Sequence, residues 1–116
     1  MNGIYVAPNS RVPGFPYVPE DWSEVGAIKL AHDEGVELST DHLDLLRALQ
    51  KYFWKHGTQK IKARDLHDAL DEKFHNKGGI KYLYTLLPKG PIAQGCRYAG
   101  LPTPIGAVDK SFGSVQ

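Results

Sequence analysis

The stretch that decides the fold is STDHLDLLRALQKYFWKHG, residues 39–57. Ser39 suits a helix N-cap, because its hydroxyl accepts a hydrogen bond from a free backbone N–H of the first turn. Gly57 is typical of the residue that follows a helix end. The apolar residues recur at helical spacing and predict one buried stripe: Leu43, Leu46, Leu49 and Phe53. We therefore predict a helix over about residues 40–56.

Four further helices are predicted on either side of this stretch. The first begins near residues 19–21, where Trp22, Val25 and Ile28 recur at three-residue spacing. The other boundaries follow from apolar periodicity, from Pro88 as a helix stop and from Gly90-Pro91 as a helix start. These helices cover about residues 62–74, 80–87 and 91–99.

The helices together predict a mostly α fold, an orthogonal five-helix bundle in which the third and fourth helices form a helix-turn-helix-like pair. Residues 1–19 hold short β-prone pieces among Pro and Gly, and they predict an N-terminal arm or small β-hairpin. Residues 20–99 form the helical domain. Residues 100–116 have no periodicity and predict a flexible C-terminal arm.

Length and composition suit one soluble domain. The chain has 116 residues, of which 41% are hydrophobic and 23% charged, which is typical of a globular protein. No apolar run is long enough for a transmembrane helix, and no secretory signal is recognised, so we expect a cytoplasmic protein without membrane contacts. The single cysteine, Cys96, excludes an internal disulfide and a thiolate metal cluster. The five histidines lack zinc-site spacing, and we predict no metal and no cofactor.

Charge is distributed unevenly along the chain. Residues 1–50 carry three basic and eight acidic side chains, whereas residues 51–116 carry eleven basic and five acidic ones. One hypothesis is therefore that the helix-turn-helix-like pair binds nucleic acid. The candidate contacts are Lys62, Arg64, Lys77 and Lys81. Three nearby aspartates weaken such a patch, and we expect Asp68 and Asp71 to face solvent.

Residues 77–108, KGGIKYLYTLLPKGPIAQGCRYAGLPTPIGAV, resemble the C-terminal signature of the DsrC/TusE family. The upstream pieces at residues 21–22, 34–38 and 41–42 also fit, so the resemblance covers about residues 14–108. The matching residues of the signature are Tyr82, Leu83, Tyr84, Leu86, Pro88, Gly90, Pro91, Gln94, Cys96, Ala99, Gly100, Leu101, Pro102 and Pro104.

The resemblance implies a helical bundle with a small N-terminal hairpin and a role in sulfur trafficking. Family members carry sulfur as a persulfide or trisulfide on cysteines of a flexible C-terminal arm. TusE-like members pass sulfur in the relay that thiolates the wobble uridine of tRNA, and DsrC-like members are the sulfur substrate of dissimilatory sulfite reductase. The implied partners are therefore sulfur-transfer proteins or a sulfite reductase-like complex.

The sequence departs from the family pattern at the penultimate cysteine, whose position holds Ala107, and eight residues follow Val108. Cys96 corresponds to the inner cysteine of DsrC-like members. With one thiol, no intramolecular disulfide or trisulfide can form. We expect at most a sulfurtransferase-like carrier rather than a stand-alone catalyst.

The partner-docking arm that the resemblance implies comprises Gly100, Leu101, Pro102, Pro104 and Ala107. Three roles stay open for Cys96: it holds a persulfide, it forms a mixed disulfide with a partner, or it packs as a small apolar side chain. The neighbouring Arg97 would lower the pKa of the thiol if the two side chains were in contact.

Overall fold

A computed structural model describes residues 14–19, 21–57, 61–104 and 106–107. The described residues are mostly helical and contain five α-helices, as predicted, and they form no β-strand. The helices are α1 (Glu24–Asp33), α2 (Thr40–His56), α3 (Ala63–Lys73), α4 (Gly79–Leu86) and α5 (Pro91–Ala99), with a short 3₁₀ helix (His75–Lys77) between α3 and α4.

Helix α2 has the predicted bounds because its ends are capped as the sequence indicates. The Ser39 hydroxyl accepts a hydrogen bond from the His42 backbone N–H, and Nδ1 of His42 accepts one from the Ser39 N–H. These two bonds form a capping box with histidine in the place usually taken by Glu or Gln. Nε2 of His42 lies 2.8 Å from the Leu86 carbonyl oxygen. Because that oxygen only accepts, the ring is the Nε2–H tautomer, and it ties α2 to the end of α4.

Helix α1 begins at Glu24, later than predicted, because Ser23 acts as its N-cap and accepts a hydrogen bond from the Gly26 N–H. Trp22 therefore lies outside the helix, although it is buried. The face that packs inward carries Ala27 and Ala31. Val25, at 77% exposure, and Ile28, at 40%, point outward, so the three-residue spacing selected the wrong face of this helix.

Helices α3 and α4 pack against each other and are joined by the 3₁₀ helix rather than by a simple turn. Asp71 is exposed, as expected, and its carboxylate also accepts a hydrogen bond from the Ile80 N–H and so caps the start of α4. Gly79 adopts a φ of 67°, and a Cβ there would meet the Asp71 carboxylate oxygen at 2.3 Å. Glycine is therefore required for this cap to form.

Helix α5 lies at the centre of the bundle and packs chiefly on α2, with further contacts to α1, α3 and α4. Close approach to α2 occurs at Gly95, where a Cβ would meet Leu49 Cδ1 at 2.8 Å. At the far end of α5, the Trp22 indole N–H donates to the Tyr98 carbonyl oxygen at 2.7 Å. Gly100 ends the helix with a φ of 79° and lies against the Trp22 ring.

The two terminal segments are described only in part. Residues 1–13 of the predicted N-terminal hairpin lie outside the described residues, and residues 14–19 contain no strand, so the hairpin is not supported. Residues 108–116 of the predicted C-terminal arm also lie outside the described residues. The first part of that arm packs against the bundle, because Leu101 and Pro104 are buried. Among the described residues, no helix is long and apolar enough to cross a membrane.

Candidate functional site

The only thiol of the chain belongs to the hydrophobic core. Cys96 lies on α5 and has no exposed surface. Burial raises the pKa of this thiol well above its usual range, because the charged thiolate loses its solvation. The protonated thiol is neither a nucleophile nor a ready acceptor of sulfur. Of the three roles left open for Cys96, its position favours packing.

Arg97 does not activate this thiol. Its guanidinium donates to the Glu34 carboxylate of the loop after α1, and it lies 5.7 Å from the centre of the Tyr98 ring. The Tyr98 hydroxyl donates to the same carboxylate at 2.8 Å. Arg97 is thus paired with Glu34 and fixes α5 against the end of α1.

The segment predicted to be a docking arm begins at a tightly held turn. The Leu101 N–H donates to the Cys96 carbonyl oxygen at 2.8 Å, and the Gly100 N–H donates to that of Arg97. This turn closes α5 and directs Leu101 back into the core. Pro102 is exposed. The segment therefore starts from a fixed turn at the end of α5.

A second turn places Ala107 beside the bundle. The Ala107 N–H donates to the Pro104 carbonyl oxygen at 3.1 Å, and Ala107 is half-buried against the core. It lines a cavity of about 490 Å³ that we term the arm cavity. The polar side chains of this cavity are Arg64, His67 and Tyr84. Ala107 thus lies at a cavity with a guanidinium, an imidazole and a phenol.

The sequence predicted Arg64 as a candidate nucleic-acid contact. It did not predict that His67 and Tyr84 lie near the arm. Arg64 and His67 are three residues apart on α3, which places them on one helix face. The sequence spacing of Arg64 and His67 therefore could have predicted that the two side chains lie side by side. Tyr84 comes from α4, and only the packing of α3 on α4 brings it near them.

The four cations proposed for nucleic acid do not line one cavity. Lys62 and Lys81 are exposed, and neither lines the arm cavity. Arg64 lines the arm cavity, whereas Lys77 forms an ion pair with Asp41 at 2.7 Å. A nucleic-acid interface stays a prediction, which a salt-dependent gel shift would test, since phosphate contacts weaken steeply with salt. Within the described ranges, no group of three or more His, Cys, Asp or Glu side chains could hold a metal ion.

Comparison with known proteins agrees with this architecture. The family model described as "DsrC like protein" matches residues 8–108. The chain therefore belongs to the DsrC/TusE family.

Curated relatives include Sulfurtransferase TusE of Salmonella typhimurium, 39% identical over 88 residues that cover 75% of this chain and 80% of the relative. Sulfurtransferase TusE of Escherichia coli is 35% identical over 96 residues, covering 82% and 87% of the two chains. The NMR structure of Allochromatium vinosum DsrC is similar with a TM-score of 0.62 at 36% identity, and the match covers 89% of this chain and all of that one. Membership of a sulfur-relay family, expected from the C-terminal signature, is confirmed.

Proposed function

We propose that this protein is a docking member of the sulfur-relay family, which binds a sulfur-transfer protein through its C-terminal arm and accepts no sulfur there. The observation that carries the proposal is the complete burial of Cys96, the only thiol, together with Ala107 at the arm position where the family carries cysteine. Such a protein would occupy a partner's surface and compete with a relative that does carry sulfur.

Sulfur transfer requires an accessible thiolate. The thiolate attacks the outer sulfur of a donor persulfide, a new S–S bond forms, the donor S–S bond breaks, and the donor cysteine leaves as a thiolate. The methyl group of Ala107 cannot perform this attack. Cys96 could perform it only after α5 separates from the core, because neither the partner nor the thiolate form is accommodated in the closed bundle.

Docking, by contrast, requires only the arm and its base. The arm starts from the rigid turn at Gly100, and its prolines limit the conformational entropy that is lost on binding. The exposed side of this segment includes Pro102 and Thr103. These features support recognition of a partner by the arm independently of sulfur chemistry.

The experiment compares the natural chain with Ala107→Cys in a transfer assay. The donor is the persulfide-loaded protein that passes sulfur to the Escherichia coli TusE relative, and the readout is the mass of each acceptor. We expect the natural chain to gain no sulfur and to slow transfer to the relative. Ala107→Cys should gain about 32 Da on the new thiol.

Thr103→Cys is the matched control, because it adds an exposed thiol to the same arm four residues earlier. We expect this variant to be loaded much more slowly than Ala107→Cys. Equal loading of the two variants would indicate indiscriminate sulfur chemistry rather than docking. Failure of the natural chain to compete would overturn the proposal, and so would sulfur on Cys96 of the natural chain.

A further inference from the structure

A second cavity, of about 670 Å³, shares no lining residue with the arm cavity. One wall is formed by α2, and the other by the end of α3 with the 3₁₀ helix. Four basic side chains line this basic cavity: Arg47, Lys51, Lys73 and Lys77. Cations from separate elements that converge on one concavity create a favourable potential for an anion.

The acidic side chains near these cations neutralise only two of them. Asp44, which also lines the basic cavity, pairs with Arg47 at 2.7 Å. Asp41 pairs with Lys77 at 2.7 Å. Lys51 and Lys73 are exposed, and neither forms an ion pair or side-chain hydrogen bond within the part of the chain that the structure describes. The cavity and its immediate acidic neighbours therefore retain two uncompensated positive charges, which match a dianion.

The remaining lining is partly aromatic. Tyr17, which is half-buried, and Phe74, which is only 5% exposed, line the basic cavity, and the Tyr17 ring centre lies 4.8 Å from that of Trp54. A cavity of this size with apolar walls and a few charged groups is typical of a site for a small ligand. An extended strip of surface cations would be expected of a site for a nucleic-acid backbone.

We propose that the basic cavity binds a mononucleotide, with the phosphate monoester between Lys51 and Lys73 and the base against the aromatic wall. The dianionic phosphate satisfies the two uncompensated charges. The planar base covers apolar surface that the cavity otherwise exposes to water. This site does not depend on the arm or on sulfur transfer, so its test is separate from that of the docking proposal.

The first test uses isothermal titration calorimetry on the full chain. The ligands, titrated separately, are adenosine 5′-monophosphate, adenosine, inorganic phosphate and a short single-stranded RNA. We expect saturable binding of one molecule of the monophosphate. Adenosine and inorganic phosphate should each bind at least about tenfold more weakly, because each lacks one of the two recognised parts. Binding of RNA alone, or of phosphate as tightly as the nucleotide, would overturn the proposal.

The second test uses two double variants that change the net charge equally. Lys51→Gln with Lys73→Gln should raise the dissociation constant for the monophosphate at least about tenfold. Lys29→Gln with Lys89→Gln, outside the basic cavity, should leave that dissociation constant within about twofold. All four lysines are exposed, so both proteins should fold, and helical circular dichroism checks this. Equal weakening in the two variants would indicate general charge attraction and refute a built site.

Discussion

The burial of Cys96 makes a quantitative prediction about its reactivity. An exposed thiol with a pKa near 8.5 is about 10% thiolate at pH 7.5 and reacts readily. Cys96 has no exposed surface, and burial raises its pKa, so a reagent reaches the thiolate only when the bundle opens. If opening costs at least about 5 kcal/mol, the open fraction is below about 1 in 5,000. Alkylation of the folded chain should therefore be slower than that of the unfolded chain by at least about 10³-fold.

Alkylation by iodoacetamide, followed by peptide mass spectrometry in buffer and in concentrated guanidinium chloride, measures this ratio. Thr103→Cys supplies an internal standard, because its exposed arm thiol reports reagent activity in the same folded molecule. We expect the arm thiol to react at nearly the unfolded rate while Cys96 stays unmodified. Reaction of Cys96 in buffer within about tenfold of its unfolded rate would refute the argument from burial.

Two further substitutions test the core and its surface charges. Gly95→Ala gains about 1 kcal/mol of helix propensity but forces a methyl group onto the buried Leu49, which costs about 1–3 kcal/mol. We therefore expect urea unfolding to show a free energy of unfolding that is lower by roughly 1 kcal/mol. An increase in the free energy of unfolding would show that Leu49 has room to move. The hydrogen bonds that Asp41 accepts from Lys77 and Tyr82 lower its pKa, so this carboxylate stabilises the fold above its unfolded pKa of about 3.9, and that stabilisation is lost as pH falls through the lower folded value. Asp41→Asn should therefore be less stable than the natural chain at neutral pH, and thermal melts should converge in strong acid.

The sequence predicted helix boundaries best where they depend on neighbouring residues of the chain. The start of α2 follows from Ser39 and its end from Gly57, because a helix cap depends on a few neighbouring residues. The start of α1 was misplaced, since Trp22 fits the apolar spacing but is buried through a hydrogen bond to a carbonyl 76 residues away. No local pattern indicates that contact. For the same reason the cap that Asp71 gives to α4 was missed.

The candidate site shows the same division between local and distant information. The resemblance to a family pattern predicts Ala107 as the position of a missing arm cysteine, because that prediction needs only the order of residues in the chain. It could not show that Ala107 lies beside His67 and Tyr84, since the three residues come from the arm, α3 and α4. The sequence pattern also did not indicate the contact between Arg97 and Glu34, since the two residues are 63 positions apart in the chain.

The resemblance places one cysteine position of the family on α5 and the other on the arm, and the two positions differ in how they pack against the core. A thiol on α5 can be kept for packing alone, because a small apolar side chain fits where α5 meets the core. A thiol on the arm has no packing role at Ala107, where a methyl group already fills the half-buried position. Under the proposed function, alanine at residue 107 prevents sulfur acceptance by the arm, and the bundle stays intact. The proposed docking function needs only the bundle and the turn at Gly100 from which the arm starts, and an alanine at residue 107 leaves both unchanged.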